Sequence, residues 1–255
     1  MTATAPCWQP LLAELGTWAA ADRRAALWLR DDDAVADTPA LQHLTALCAA
    51  HGVPVLLASI PARAEASLVR RVTATPLATV AVHGWAHANH APPGQKAQEL
   101  GTHRPPECVL DELGRALERL GVLFGPRLAP VLVPPWNRIA GELLPALPRL
   151  GYRAVSTFGG TPLPGCPPTL AQVDTHLDLI DWKGGRRCHD HAWLAGTLAA
   201  QLAAARAADG AALGVLTHHL VHDAAAWDFL AALFALTAHH PGARWVGIHG
   251  ATAGP

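Results

Sequence analysis

Eight short apolar runs alternate with longer segments of helical periodicity, and this alternation constrains the fold more than any other feature. The runs are Ala26–Arg30, Val53–Ser59, Ala78–Val82, Pro130–Val133, Arg153–Thr157, Leu177–Ile180, Leu213–Thr217 and Arg244–Ile248. Continuous apolar runs between polar or turn residues are typical of strands covered on both faces. The segments with helical spacing are Pro39–Ala50, Glu107–Leu120, Trp193–Ala208 and Ala224–Ala238. The alternation predicts βαβ units with parallel strands, in an open doubly wound sheet or a barrel, and seven or eight units in 255 residues favour the barrel.

The composition indicates one α/β domain over residues 1–255, with residues 1–25 as an N-terminal helical extension. Hydrophobic residues make up 51% of the chain and charged residues 15%, which excludes intrinsic disorder. The net charge is −1 and there is no basic run, so we expect no nucleic-acid partner. No apolar segment approaches the roughly 18 residues that span a bilayer, so we expect no membrane association either.

The N-terminus and the cysteines predict a cytoplasmic protein. The first twenty residues lack a positively charged stretch, and Glu14 interrupts their apolar residues, unlike a signal peptide. The five cysteines are odd in number and include no Cys-x-x-Cys pair, which argues against a disulfide framework and a cysteine zinc site. We therefore expect reduced thiols, and the oligomeric state stays open.

Polar clusters follow the predicted strands at the points where these strands end. The clusters are Asp31–Asp33, His83–His87, Pro134–Arg138, Asp181–Lys183 and His218–His219. The carboxyl ends of parallel strands converge on one face of a barrel, where active sites lie. We therefore expect residues from distant parts of the chain to share one pocket.

One aspartate and two histidines among these clusters predict a metal site. The spacing of His83 and His87 would place both imidazoles on one face of a helical turn, although His218 and His222 have the same spacing. Two imidazoles and a carboxylate supply three ligands to a divalent cation and leave a position open for water. This ligand set suits Zn²⁺, Co²⁺, Ni²⁺ or Mn²⁺.

Five motifs in this order resemble those of the polysaccharide deacetylases with NodB homology, carbohydrate esterase family 4. Arg30-Asp31-Asp32-Asp33 is similar to the family's Thr-Phe-Asp-Asp motif, and His83-Gly84-Trp85-Ala86-His87 to its His-(Ser/Thr)-x-x-His motif. The later matches are Val133-Pro134-Pro135-Trp136, Asp181-Trp182 and Leu216-Thr217-His218. The resemblance spans residues 26–222 and implies a distorted (β/α)7 barrel.

The resemblance also implies roles for individual residues. Asp32 takes the place of the catalytic base and His218 that of the general acid, while Asp33, His83 and His87 take the places of the metal ligands, with Zn²⁺ as the expected ion. A slip by one residue would instead make Asp31 the base and Asp32 the ligand. The register with Asp32 and Asp33 is preferred because it leaves four residues before the helix that starts at Thr38-Pro39.

Two positions depart from the family's pattern. Gly84 replaces the Ser or Thr of the second motif, which helps to tether the loop. Val133 stands where the third motif has an arginine that orients the base, and Arg138 or Arg30 is a candidate substitute. Without that arginine the base could have a different pKa, or the chain could be a non-catalytic relative.

The aromatic and polar residues within the motif loops are candidate substrate contacts: Trp85, Pro135, Trp136, Asn137, Asp181 and Trp182. Flat tryptophan rings can stack on a sugar, although they can also simply line the opening of a barrel. We expect Ala91–Pro106, a surface loop next to the histidine pair, to act as a lid.

Together these features predict a metal-dependent hydrolase that removes an acyl group, in the first instance acetyl, from an N-acylated amino sugar or a related small amide. A degenerate barrel that binds a carbohydrate or a protein partner is the alternative outside the enzymes. An amidohydrolase barrel is the alternative enzyme class, but it would carry a His-x-His pair after its first strand, where this chain has aspartates.

Overall fold

The computed structural model describes residues 6–208, 210 and 212–252. The strands are β1 (Ala25–Ala34), β2 (Val55–Ser59), β3 (Ala78–Val82), β4 (Leu128–Leu132), β5 (Ala154–Val155), β6 (Ala171–Gln172), β7 (Thr175–Asp178), β8 (Ile180–Asp181), β9 (Arg187–Cys188), β10 (Leu213–Thr217) and β11 (Ala243–Trp245). The α-helices are α1 (Gln9–Ala20), α2 (Pro39–His51), α3 (Ala66–Thr73), α4 (Pro106–Phe124), α5 (Leu147–Leu150), α6 (His191–Ala207), α7 (Ala224–Thr237) and α8 (Ile248–Thr252). None of the helices described has the length and apolar character needed to cross a membrane.

The backbone contacts divide the described residues into two compact units. Unit one contains those of Met1–Asp31, Pro39–Val55 and His176–Pro255, and unit two contains Asp32–Thr38 and Leu56–Thr175. Strand β1 therefore contributes its first seven residues to unit one and its last three to unit two.

Unit two is built on parallel strands in the order β6-β5-β4-β3-β2. The pairs β3–β4, β4–β5 and β5–β6 are all parallel, and each pair is joined by a crossover of more than a dozen residues, as parallel strands require. All five residues of β2 are buried, in agreement with its continuous apolar sequence. Helix α4 buries one apolar stripe, formed by Val109, Leu113, Ala116, Leu120 and Phe124. This spacing of three and four residues is the period of an amphipathic helix.

Unit one has β1 at the centre of its strands. Strand β1 pairs in parallel with β10 and with β11, and β7 lies beside β10. A separate antiparallel pair joins β8 to β9, with Asp181 opposite Arg187. The N-terminal helix α1 buries Leu11, Leu15 and Trp18.

Candidate metal centre

Three side chains of unit two bring their metal-binding atoms together. Asp33 lies near the end of β1, His83 directly follows β3, and His87 lies four residues further along the chain. Asp33 Oδ1 lies 3.4 Å from His83 Nε2 and 3.5 Å from His87 Nε2. One potential ligand atom from each residue falls within 4.8 Å of the other two. Two ligands of a tetrahedral zinc ion lie about 3.3 Å apart, so the donor set fits such an ion.

The backbone from His83 to His87 forms an irregular loop. The prediction of a helical turn between the two histidines is therefore wrong. Gly84 has φ +62° and His87 has φ +56°, and neither value is compatible with a right-handed helix. The loop still brings the imidazoles together, with ring centroids 5.0 Å apart. Asp33 also has a positive φ, of +71°. A non-glycine residue in this region is uncommon and marks a functional or strained position.

The imidazole of His83 is held in one orientation by the backbone. Its Nδ1 lies 2.9 Å from the carbonyl oxygen of Val133, so Nδ1 carries the proton and donates. In the neutral ring this leaves the lone pair on Nε2, the atom that faces Asp33. A metal-binding histidine almost always donates its other ring N–H to such an acceptor. The tautomer therefore suits a metal ligand.

The two histidines have opposite pKa shifts. Burial acts to lower the pKa of His83, but the hydrogen bond to Asp33 and the charges of Asp32 and Asp33 outweigh it and raise this pKa. Burial and the neighbouring His83 lower the pKa of His87. Asp32, the predicted base, is 3% exposed, and its charge acts on His83. Its carboxylate thus belongs to the surroundings of the metal-binding atoms.

Sequence analysis missed Glu99, which holds the loop between the histidines. Its carboxylate accepts hydrogen bonds from the backbone N–H groups of Trp85 (3.2 Å), Ala86 (2.8 Å) and Ala88 (3.4 Å). The prediction of a surface loop over Ala91–Pro106 is wrong at its middle, because Glu99 and Leu100 are 1% and 0% exposed. The only signal in the sequence is an acidic residue beside a leucine within a polar segment, a pattern common in exposed loops.

The predicted substrate-contact residues of unit two surround the histidines to different degrees. The ring of Trp136 lies 4.3 Å from that of His87. Pro135 is buried, and Asn137 has φ +56° in the same short turn. Trp85 stacks under the guanidinium of Arg115, at 4.8 Å. Trp136 thus lies beside the metal-binding atoms, and Trp85 lies against Arg115.

The two arginines that could substitute for the arginine missing from the third motif lie in different places. Arg138 donates from Nη1 to the carbonyl oxygen of Ala97, 2.7 Å away, and so anchors the segment that follows the histidines. Arg30 is 0% exposed within β1. The hydrogen bond of Arg138 therefore supports the loop and not a carboxylate.

The remaining predicted site residues lie in unit one. The ring of Trp182 packs edge-on against that of His218, with centroids 4.7 Å apart, and its Nε1 donates to Asp178. Trp182 is 41% exposed. Asp181 accepts hydrogen bonds from the N–H groups of Gly184 and Lys183, and these bonds lower its pKa. Asp181 therefore stabilises the turn between β8 and β9.

A second feature that sequence analysis missed is the environment of Asp31. Its carboxylate is fully buried and accepts from Thr217 Oγ1 (2.7 Å) and from the backbone N–H of His219 (2.9 Å). The Nδ1 atom of His219 lies 2.5 Å from the other carboxylate oxygen. Burial acts to raise the pKa of Asp31, but His219 and Thr217 hold it below its ordinary value. Asp31 thus holds both neighbours of His218, Thr217 by its side chain and His219 by its backbone and its ring.

Comparison with known proteins shows a likeness in structure. No protein-family model matches the chain, and no curated protein sequence does. A protein from Mycobacterium smegmatis assigned to the polysaccharide deacetylases is 17% identical, with a TM-score of 0.66 over 88% of this chain and 87% of that chain. The family 4 carbohydrate esterase from Streptomyces lividans, in complex with acetate, is 16% identical, with a TM-score of 0.56 over 86% and 91%. The peptidoglycan deacetylase PdaC from Bacillus subtilis is 15% identical, with a TM-score of 0.54 over 89% and 90%. These likenesses confirm the predicted fold, that of the (β/α)7 deacetylases.

Proposed function

Starting from the fold of the polysaccharide deacetylases, we propose that this protein is a metal-dependent hydrolase of N-acyl groups. The observation that carries the proposal is the convergence of Asp33, His83 and His87, with Nδ1 of His83 bonded to a backbone carbonyl so that its Nε2 can bind a metal. A fold hosts many chemistries, so the site and not the fold has to carry the function. An oriented set of two imidazoles and one carboxylate is a site for a hydrolytic metal.

The proposed substrate is an N-acetylated amino sugar or a related small amide. The similar structures include a carbohydrate esterase with bound acetate and a peptidoglycan deacetylase, which supports an acetyl group on a carbohydrate. The ring of Trp136 beside His87 supports a sugar substrate, because a sugar can stack on an aromatic face.

The proposed metal is Zn²⁺, held by Asp33, His83 and His87. When bound, such an ion supplies a water molecule of lowered pKa and an electrostatic partner for the carbonyl oxygen of the substrate. The resemblance of its motif assigns to Asp32 the base that would take a proton from the attacking water. A C–O bond would form and the C–N bond would break, and the resemblance assigns to His218 the acid that would protonate the departing amine. The roles of Asp32 and His218 rest on the resemblance of their motifs.

The test combines metal content with acetate release. The purified wild-type protein, loaded with Zn²⁺ and dialysed, is expected to hold one ion per chain by elemental analysis and to release acetate from oligomers of N-acetylglucosamine. His83→Ala removes a ligand and is expected to lose both. The control His103→Ala changes an exposed histidine outside the proposed ligand set, and it is expected to keep the bound Zn²⁺ and the acetate release.

A wild-type protein that binds neither Zn²⁺ nor another divalent ion would contradict the proposal and favour a binding protein. A protein that binds Zn²⁺ through His83 but releases no acetate would retain the metal site and refute the acetyl substrate.

A further inference from the structure

The loop between His83 and His87 is organised around the carboxylate of Glu99, a residue outside the five motifs. Glu99 is 1% exposed and accepts N–H groups from Trp85, Ala86 and Ala88. The N–H groups of Ala86 and Ala88 belong to the residues on either side of His87. The carboxylate therefore fixes the backbone that carries this imidazole, which adopts a positive φ of +56°.

Gly84 provides the space that this arrangement needs. A Cβ atom at position 84 would collide with Glu99 Oε2 and would lie 2.7 Å from Cγ of Pro135. The resemblance places a Ser or Thr at this position, where its side chain would tether the loop. Here glycine leaves the space to the carboxylate, which reaches the loop from fifteen residues further along the chain.

The negative charge of the Glu99 carboxylate suits it to accept hydrogen bonds from the N–H groups of the loop. Hydrogen bonds from backbone N–H groups to a carboxylate are stronger than those to a neutral acceptor. A glutamine of the same shape has one oxygen acceptor and one NH₂ donor, and the donor would face N–H groups. The ionised glutamate can satisfy the loop, whereas its amide cannot.

We propose that Glu99 is a positioning residue for the metal centre. Glu99 holds His87 where the Nε2 atom of His87 can bind the ion together with Asp33 and His83. The inference rests on the proposed function, because it assigns Glu99 to the same metal. Glu99 acts on His87 through the backbone of the loop.

The test uses Co²⁺ as the probe, since it occupies sites of this ligand type and its visible spectrum reports on coordination geometry. The wild type, Glu99→Gln and the control Glu107→Gln, which changes an exposed glutamate of α4, are compared. Loss of a partner that orients a metal ligand typically weakens metal binding 10–100-fold. We expect this weakening and an altered Co²⁺ spectrum in Glu99→Gln, and wild-type behaviour in Glu107→Gln.

Amide hydrogen exchange of the metal-free protein supplies a readout that is independent of metal binding. The N–H groups of Trp85, Ala86 and Ala88 are expected to exchange faster in Glu99→Gln than in the wild type. If Glu99→Gln does not fold, Glu99→Asp is measured instead, because it keeps the charge but shortens the reach to the loop. The same loss of protection and weaker Co²⁺ binding are then expected.

The outcomes separate this inference from the proposed function. Loss of amide protection with unchanged Co²⁺ affinity and spectrum overturns the positioning role and leaves the metal-dependent function standing. Unchanged protection overturns the assignment of Glu99 directly. A wild type that binds no Co²⁺ refutes the metal centre, and with it the role of Glu99 towards a metal.

Discussion

Three successive aspartates occupy three different environments. Asp31 is fully buried in unit one, where Thr217 and His219 satisfy its carboxylate. Asp32 is buried in unit two and acts by its charge on His83, and Asp33 faces the Nε2 atoms of both histidines. Sequence reasoning could predict that one of the three faces the histidines. It could not assign Asp31, because His219 lies 188 residues away and no local pattern links them.

Substituting Asp32 and Asp33 by asparagine, one at a time, separates their roles. Asp33→Asn removes a charged ligand and is expected to lose Zn²⁺. Asp32→Asn is expected to keep Zn²⁺ while kcat falls roughly 10²–10⁴-fold, the range for a lost general base. Elemental analysis and acetate release measure the two effects. If Asp32→Asn loses the metal and Asp33→Asn keeps it, the register of the aspartates is shifted.

Asp31 is expected to matter for stability. Asp31→Asn leaves the buried His219 facing an amide in place of a carboxylate, and breaking a buried pair of this kind costs about 3–5 kcal/mol. Urea denaturation of the metal-free protein measures this loss. Asp111→Asn, an exposed aspartate in an ion pair on α4, is the control, with an expected change of less than about 1 kcal/mol. An equally small change in Asp31→Asn would show that the buried network contributes little.

Among the elements, two uncharged strands are predicted best. The bounds of β3 and β10 are those predicted, because each apolar run coincides with its strand. Strand β1 continues four residues beyond its predicted end, through three aspartates whose polarity conceals the strand. The loop after β3 could not be predicted, because its path depends on Glu99 and on the positive φ values of Gly84 and His87.

Gly84→Ala tests that loop. The new Cβ would meet Glu99 and Pro135 in addition to the strain of a positive φ. We expect weaker Zn²⁺ binding and a loss of stability of about 1–3 kcal/mol. Gly94→Ala is the matched control, because Gly94 also has a positive φ, of +84°, but open space around its Cβ position. If both variants lose the same amount, backbone strain alone accounts for the effect.

At the scale of the whole molecule, the pH dependence of stability has an identifiable contribution from His222. Neither of its buried ring nitrogens has a hydrogen-bond partner among the described residues, and its ring packs against Trp227 at 4.4 Å. Burial lowers its pKa to about 4, against the opposing charges of Asp31 and Asp223 and with help from His218 and His219. The folded protein therefore holds His222 neutral where the unfolded chain protonates it.

The sign of the effect follows from this difference. Between pH 6.5 and pH 4 the unfolded state binds more protons at His222, so the free energy of unfolding decreases as the pH falls. From pH 7.5 to pH 5 the wild type is expected to lose about 2 kcal/mol more than His222→Leu does. Urea denaturation at the two pH values measures this, with His103→Leu as the control. Equal losses in wild type and His222→Leu would show that His222 is not held neutral.

The bond from His83 to Val133 has a consequence for how the sequence can vary. The acceptor is a main-chain carbonyl, so the orientation of the imidazole does not depend on which side chain stands at position 133. Saturation mutagenesis should therefore find position 133 permissive for metal binding, limited by packing, because Val133 is fully buried. Position 99, where the side chain itself accepts the bonds, should tolerate almost no replacement.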